Sequence, residues 1–333
     1  MAIWLIVTAL FTWTLLGIVF MDQWFPAWLS RLTGILLGVG FLAFVFRRRF
    51  QRIALVGLAV VSLAVLCFYQ TRRPSHDRNW SIGQQLLPTA RIRESIVEIE
   101  NLRSFRYKGD KIDQRYVSRR LDLDLIESAW FGVDRFAKME ALAHTFVSFG
   151  FRKDESPDAK IDYVAFSIET RREIDEHTFS PLRGMFRNYE IIYVIADEQD
   201  VLSIRTDVRN HPVQLYPVKA RKSQLQQMFL DMVRRANGIA KQPEFYDTLS
   251  SNCTNNLVYH INRVTTWPIS SFEREIIFPG YSDWLAFRHD LIDTELSLEE
   301  ARKYFRVDDR AKQFDGSLDF STFIRQRPGA DLP

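Results

Sequence analysis

The chain is poor in the residues that build metal centres and covalent frameworks, with two cysteines and six histidines in 333 residues. Cys67 lies in an apolar run and Cys253 in the polar remainder, so a disulfide between them would have to reach into a bilayer. The polar part is therefore expected to fold without one, and its unpaired thiol calls for a reason. A single cysteine there and scattered histidines give no close ligand spacing, which argues against a metal site. No Gly-x-Gly-x-x-Gly or Walker sequence occurs, so no nucleotide loop and no cofactor is implied. A formal net charge of +3 gives no drive toward nucleic acid. Internal repeats and low-complexity tracts are also missing.

Long apolar runs, by contrast, are present. From Ala2 to Met21 there is no charge at all, and about twenty residues at 1.5 Å each cover a hydrocarbon core of about 30 Å. Leu32 to Phe46 and Ile53 to Phe68 are two further runs, separated by the basic stretch Arg47 to Arg52. Both are short for a span and call for interfacial aromatics such as Trp24 and Trp28 or for snorkelling arginines. The first run has no basic leader and no Ala-x-Ala site, so it reads as an anchor and not as a cleaved signal. Short loops rich in Lys and Arg stay in the cytoplasm, which puts Arg47 to Arg52 inside and everything after Gln70 outside. Arg72 and Arg73 oppose this with two charges against four. The expected organisation is an anchor of about three helices over residues 1–70, a linker over 71–95 and an exported domain over 96–333.

Within the exported domain, period-two alternation predicts strands at Ile96 to Ile99 and on through Phe105 and Tyr107. Further strands are expected at Thr145 to Phe151, Tyr163 to Thr170, Glu190 to Ala196, Val201 to Val208 and Val213 to Val218. Leu225, Met228, Phe229, Met232 and Val233 recur at three- and four-residue spacing and predict a helix over Ser223 to Ala240. Another is expected from Cys253 to about Val264, and Leu296 to Glu300 opens a shorter one. The fold class is α+β, a mixed sheet with flanking helices behind the membrane segments.

The chemistry concentrates at Ser250-Ser251-Asn252-Cys253. The first three are good N-caps, and Leu257, Val258 and Ile261 then follow at helical spacing, so Cys253 is placed in a first turn. There the helix dipole favours the thiolate, and the unsatisfied N–H groups can cradle an oxyanion. A buried, inert cysteine is the competing reading. Among the histidines, His260 is two turns from Cys253 on the same helix, His76 is in the linker, and His177 and His211 lie among loop-type residues. His144 stands just before a strand, where an imidazole could face the helix N-terminus. The third group that fixes the tautomer is expected to be Glu169 first and Ser167 second, since the two share one face of the next strand.

These residues carry a resemblance. Ala143-His144-Thr145-Phe146 with Ser148-Phe149-Gly150-Phe151, Ser167-Ile168-Glu169 with Arg171-Arg172-Glu173, and Gly184-Met185-Phe186-Arg187 with Tyr189-Glu190 look like the Lnb N-terminal periplasmic domain family. Asp197-Glu198, Leu215-Tyr216-Pro217, Pro243-Glu244-Phe245-Tyr246 and Asn252-Cys253-Thr254 continue the pattern in order, over roughly residues 75–265. The resemblance implies a circularly permuted papain-like fold of NlpC/P60 type, histidine before cysteine. It also implies an acyl-transfer chemistry like that of the N-acyltransferase that matures bacterial lipoproteins. That enzyme carries its membrane segments after the thiol domain and this chain before it, and Asn255 stands where a second threonine is expected.

The expectation is a cysteine-dependent acyltransferase of the bacterial inner membrane, multi-pass, with its C-terminal domain in the periplasm. Cys253 would form a thioester and pass the acyl group to an amine, with His144 as proton carrier and Glu169 as orienter. Arg103, Arg171 and Arg187, together with Asn252 and Ser167, are the candidate substrate-binding residues. Membrane lipid, a lipoprotein or cell-wall material is the expected partner, with no nucleic acid. A thiol hydrolase of cell-wall peptide or lipid ester, and an inactive tethered binding module, are the alternatives.

Overall fold

The computed structural model describes residues 2–20, 26–109, 111–136, 139–156, 158–176 and 179–326, so Trp24 and His177 lie outside the described residues. Its apolar runs form α1 (Ala2–Phe20), α2 (Ala27–Val45) and α3 (Gln51–Thr71), and among the described residues these three are long and apolar enough to cross a membrane. The second starts at Ala27, before the apolar run proper, and so reaches 19 residues by including Arg31. Near a helix end, that side chain can carry its charge to the interface.

The chain divides into two compact units, the first made of residues 1–78, 175–190 and 243–249. Its helices meet through small and hydroxylated residues. Thr14 and Ser62 hydroxyls lie 2.7 Å apart, each also within 2.7 Å of the carbonyl four residues back, so one can donate to the other and that other to its carbonyl, and neither is left bare in an apolar setting. Gly34 and Gly38 are buried on α2, and a Cβ on Gly34 would come 3.0 Å from Val19. In the same unit Arg72 donates to the Phe186 carbonyl at 2.6 Å, and buried Phe186 packs with Trp13, Phe20 and Val65. One of the two arginines that oppose the expected orientation is thus engaged by the fold itself.

The second unit, residues 79–174, 191–242 and 250–333, is built on strands β1 (Thr89–Arg93), β2 (Ile96–Arg103), β3 (Arg106–Lys108), β4 (Lys111–Asp113), β5 (Tyr116–Asp122), β6 (Ile126–Asp134), β7 (His144–Arg152), β8 (Ile161–Arg171), β9 (Glu190–Asp197) and β10 (Val213–Pro217). Among the described residues they make an eight-stranded sheet in the order β1-β2-β9-β8-β7-β6-β10, with β5 on β2, and a separate β3-β4 pair. It is mixed, because β2 runs parallel to β9 whereas β6, β7 and β8 pair antiparallel. The stretch expected as a linker contributes β1, paired along its length with β2, so the sheet unit begins at Asn79. Strand β9 is buried at every position, as suits a central strand covered on both faces.

Helices α4 (Pro181–Gly184), α5 (Glu198–Ser203), α6 (Lys222–Lys241), α7 (Cys253–Asn262), α8 (Arg274–Ile277), α9 (Ser282–Arg288), α10 (Leu298–Tyr304), α11 (Asp308–Lys312) and α12 (Phe320–Arg325) complete the chain. Alternation along β7 explains how the sheet is sandwiched. Phe149 and Phe151 meet Phe229 of α6 edge to face, whereas Phe146 joins Val201, Leu202, Val307, Phe320 and Ile324 on the opposite side.

One predicted strand is not a strand. Residues Val201 to Val208 lie in α5 and a following π-type turn over Ile204–Val208. Asp197 caps this element by accepting the Asp200 N–H at 2.8 Å, and Arg205 returns one turn to the Val201 carbonyl at 2.6 Å. Alternating Val, Leu and Ile imitated a strand; the cap ahead of them decides for a helix.

Gly132 on β6 pairs with Phe146, whose ring crosses the place a side chain would take: a Cβ there would sit 2.2 Å from Phe146 Cζ. Gly132→Ala is expected to destabilise the domain by about 1–3 kcal/mol, because the ring is held in a packed core. A melting temperature equal to wild type would show that the ring yields freely.

Candidate active site

Three elements of the second unit converge on one thiol. The α7 helix places Cys253 at its first position, β7 begins with His144, and β8 brings Ser167 and Glu169. The start of α7 is set by a reciprocal cap. Asn252 Oδ1 accepts the Asn255 N–H at 2.8 Å, and Asn255 Oδ1 accepts the Asn252 N–H at 3.1 Å. Asn255, which departs from the expected threonine, thereby holds the helix end that carries the nucleophile candidate. Asn252 also donates to the Ile276 carbonyl at 3.1 Å.

Cys253 is buried, and the imidazole of His144 acts on its thiol. Burial alone pushes the thiol up; the charge and hydrogen bond of His144, with hydrogen bonds from Thr145, reverse this and lower it from 9.0 to about 7. Thr145 and Thr254 hydroxyls lie 3.3 Å apart and join the strand to the helix beside the sulfur.

Behind the imidazole runs a relay. His144 Nε2 is 2.8 Å from Ser167 Oγ, and Ser167 donates to Glu169 Oε1 at 2.8 Å. Ser167 pairs with Phe146, and the same antiparallel register carried two residues on sets Glu169 opposite His144. The imidazole nonetheless bonds Ser167, and Glu169 meets it through that hydroxyl, which reverses the expected order of the two. Burial pushes the Glu169 carboxyl up, but Arg205, His144, Arg103 and Arg209 outweigh it and hold the group well below the usual carboxylate range.

The donor inventory then assigns the tautomer. An ionised Glu169 only accepts, so the Ser167 hydroxyl proton goes to it, and Arg205 Nη2 also donates to Ser167 Oγ at 3.0 Å. What remains on that oxygen is a lone pair, which accepts the proton of His144 Nε2. Nδ1 is the nitrogen left free to take a proton.

Arg205 is the residue that sequence reasoning missed. It is 1% exposed, donates to Glu169 at 3.1 Å, ion-pairs Asp134 at 3.2 Å and lies over the Phe146 ring at 5.1 Å. Asp134 meets His211 Nδ1 at 2.9 Å. Burial raises the Asp134 carboxyl, but the His211 hydrogen bond with Arg205 and His144 brings it below its ordinary value. The signal for Arg205 was the Asp197 cap: read as a helix start, it puts Val201 and Arg205 one turn apart.

The three arginines singled out for substrate are committed to the protein. Arg103 is buried and grips Asp200 through Nε and Nη2 at 3.0 and 2.9 Å. Arg171 donates to the Gln84 and Gln85 carbonyls, both at 2.8 Å, and lies 4.1 Å over Trp80. Arg187 belongs to the membrane-helix unit, where it donates to the Tyr69 carbonyl at 3.0 Å. Of the other histidines, His260 is fully buried between Asp231 at 2.7 Å and Tyr193 at 2.9 Å. Beside the thiol, Thr254, Leu257 and Val258 of α7, with Val147, Met228 and Leu285, line an apolar cavity of about 110 Å³. Among the described residues no cluster of His, Cys, Asp or Glu could hold a metal ion.

Fold and site together define an α+β domain that holds a buried thiol against an imidazole, in a chain with three candidate membrane helices. Residues 113–275 match the model of the Lnb N-terminal periplasmic domain family, as the sequence resemblance implied. The match starts at Asp113, inside the roughly 75–265 span of the sequence resemblance, and it extends past Cys253 to Glu275. A membrane-associated periplasmic protein is the class this supports. No curated protein matches the chain, and neither does any solved structure.

Proposed function

We propose that the domain is a cysteine-dependent acyl-transfer enzyme of the bacterial inner membrane, built on a permuted papain-like plan with histidine ahead of cysteine. The observation that carries this is the chain of hydrogen bonds from His144 through Ser167 to Glu169, set beside a thiol at the amino end of a helix that the imidazole lowers. With a thiol lowered to about 7, a large fraction is thiolate at neutral pH, its proton held by His144 Nδ1. The sulfur attacks the carbonyl of an ester, and the backbone N–H groups at the start of α7 receive the oxyanion. The tetrahedral intermediate collapses with cleavage of the ester C–O bond. His144 gives its proton to the departing alkoxide, which leaves an S-acyl thioester on Cys253. An amine acceptor then attacks the thioester and loses a proton to His144, and the amide departs as the thiol is restored.

The apolar cavity beside Thr254 favours an acyl chain over a cell-wall peptide. An apolar cavity of about 150 Å³ admits benzene, so one of about 110 Å³ suits the few methylenes nearest the carbonyl. Transfer differs from hydrolysis only in the acceptor, an amine in place of water.

Intact-mass measurement of protein purified from its own membrane tests the reading. The expected result is an acyl adduct on Cys253, discharged by an added amine and missing from Cys253→Ala. Equal labelling of wild type and Cys253→Ala by an electrophilic acyl probe would sink it.

A further inference from the structure

Aromatic side chains are concentrated on the outside of the segment that follows α7. Trp267 is 84% and Phe272 95% exposed, and Phe278 and Trp284 are also open to solvent. Elsewhere on this unit exposed apolar side chains such as Ile82, Ile112 and Val208 are scattered singly, which is ordinary for a surface. Here they lie within one short stretch that the fold holds in place. Ile269 and Ile276 point inward and pack with Val258 and Leu285. Asn262 exchanges hydrogen bonds with the backbone of Ile269 at 2.7 and 2.8 Å, and Asn252 reaches the Ile276 carbonyl. The aliphatic residues thus pin the segment to the helix of the thiol, and the large aromatics face out.

The charges nearby cancel. Between Arg263 and Arg288 stand Arg263, Arg274 and Arg288 against Glu273, Glu275 and Asp283, and each is ion-paired within the protein. The guanidinium groups of Arg288 and Arg274 in addition lie 4.5 and 5.9 Å from the centre of the Trp284 ring. Such a surface has little electrostatic pull on a polyanion and no bare charge to resist entry into a headgroup layer. Trp and Phe partition into the membrane interface whatever the headgroup charge. A chain with three candidate membrane helices keeps this domain tethered to a bilayer.

We infer that the Trp267 to Trp284 surface seats in the interface of a lipid bilayer, driven by its aromatic side chains and not by charge. The same segment supplies Ile269 and Leu285 to the apolar cavity that Thr254 lines next to Cys253. Seating would therefore bring that cavity to the lipid. The occupant is a bilayer surface and not a second protein.

The test uses the full chain with Cys67→Ser and Cys253→Ala, an environment-sensitive dye on Phe272→Cys, and one copy per nanodisc of neutral phosphatidylcholine. The Cys253→Ala background makes the readout independent of any thiol chemistry. The expected result is blue-shifted emission, quenched by doxyl groups on the lipid and protected from iodide, and unchanged in molar salt. The same dye on exposed Glu155→Cys should stay accessible to iodide. Iodide quenching at 272 equal to that at 155 overturns the inference. So does a shift lost in high salt, or one that appears only with two copies per disc, which would assign the surface to a second chain.

Discussion

Removal of the His144 imidazole is expected to move the titration of Cys253 from about 7 to above its ordinary 9.0, because burial is then left to act alone with the weaker Thr145 contacts. The thiolate fraction rises with pH through the pKa. Alkylation by iodoacetamide should therefore be half-maximal near pH 7 in wild type and still rising above pH 9 in His144→Ala. At pH 7 this alone lowers the reactive fraction by roughly fifty-fold. Turnover should fall further, by about 10²–10⁴-fold, since the proton carrier to the leaving group is lost as well. Ser167→Ala keeps the imidazole but removes the acceptor of its Nε2 proton, so a smaller loss with an alkylation midpoint still near 7 is expected. Identical alkylation profiles for wild type and His144→Ala would remove the basis for an activated thiol.

Arg205→Met is expected to cost about 3–5 kcal/mol of stability. The guanidinium stands between Asp134 and Glu169 in a place almost closed to water, and its loss leaves two carboxylates with no cation between them. Both carboxyls lie below their ordinary values in the native protein, so their contribution is present at neutral pH and is lost as pH falls through those low values. In the variant their titration moves up. Acidification toward pH 5 should then partly restore stability by neutralising them, opposite in sign to wild type. Thermal melts at pH 7 and pH 5 in one detergent check this. A variant as stable as wild type at pH 7 would mean that water reaches the cluster and that Arg205 does not hold the relay together.

Much of the architecture could be read along the chain because its signals are local. Uncharged runs of membrane length, the α6 spacing of Leu225, Phe229 and Met232, and period-two alternation at β7 and β8 each depend on neighbours a few residues apart. The placement of Cys253 at a helix start was legible for the same reason, since N-cap residues precede it directly. Arg205 was not legible, because alternating apolar residues around it are compatible with a strand and only the Asp197 cap and the packing of Val201 and Leu202 decide otherwise. The order of Ser167 and Glu169 behind His144 could not be read either. Shared alternation puts both on one face, the register even sets Glu169 opposite His144, and the side-chain geometry selects Ser167 as the one that touches the ring.

By itself, the order of residues determined the membrane helices, the α+β class and the thiol at the head of a helix, all of which follow from hydrophobic period and capping over a turn or two. Only the tertiary structure decided that candidate arginines at 103 and 171 are buried structural groups, that 205 joins the relay, and that the imidazole bonds Ser167 through Nε2. Those are matters of partner choice between strands distant in sequence. A buried charge takes whichever counter-ion the fold brings within about 3 Å, and nothing local encodes that distance.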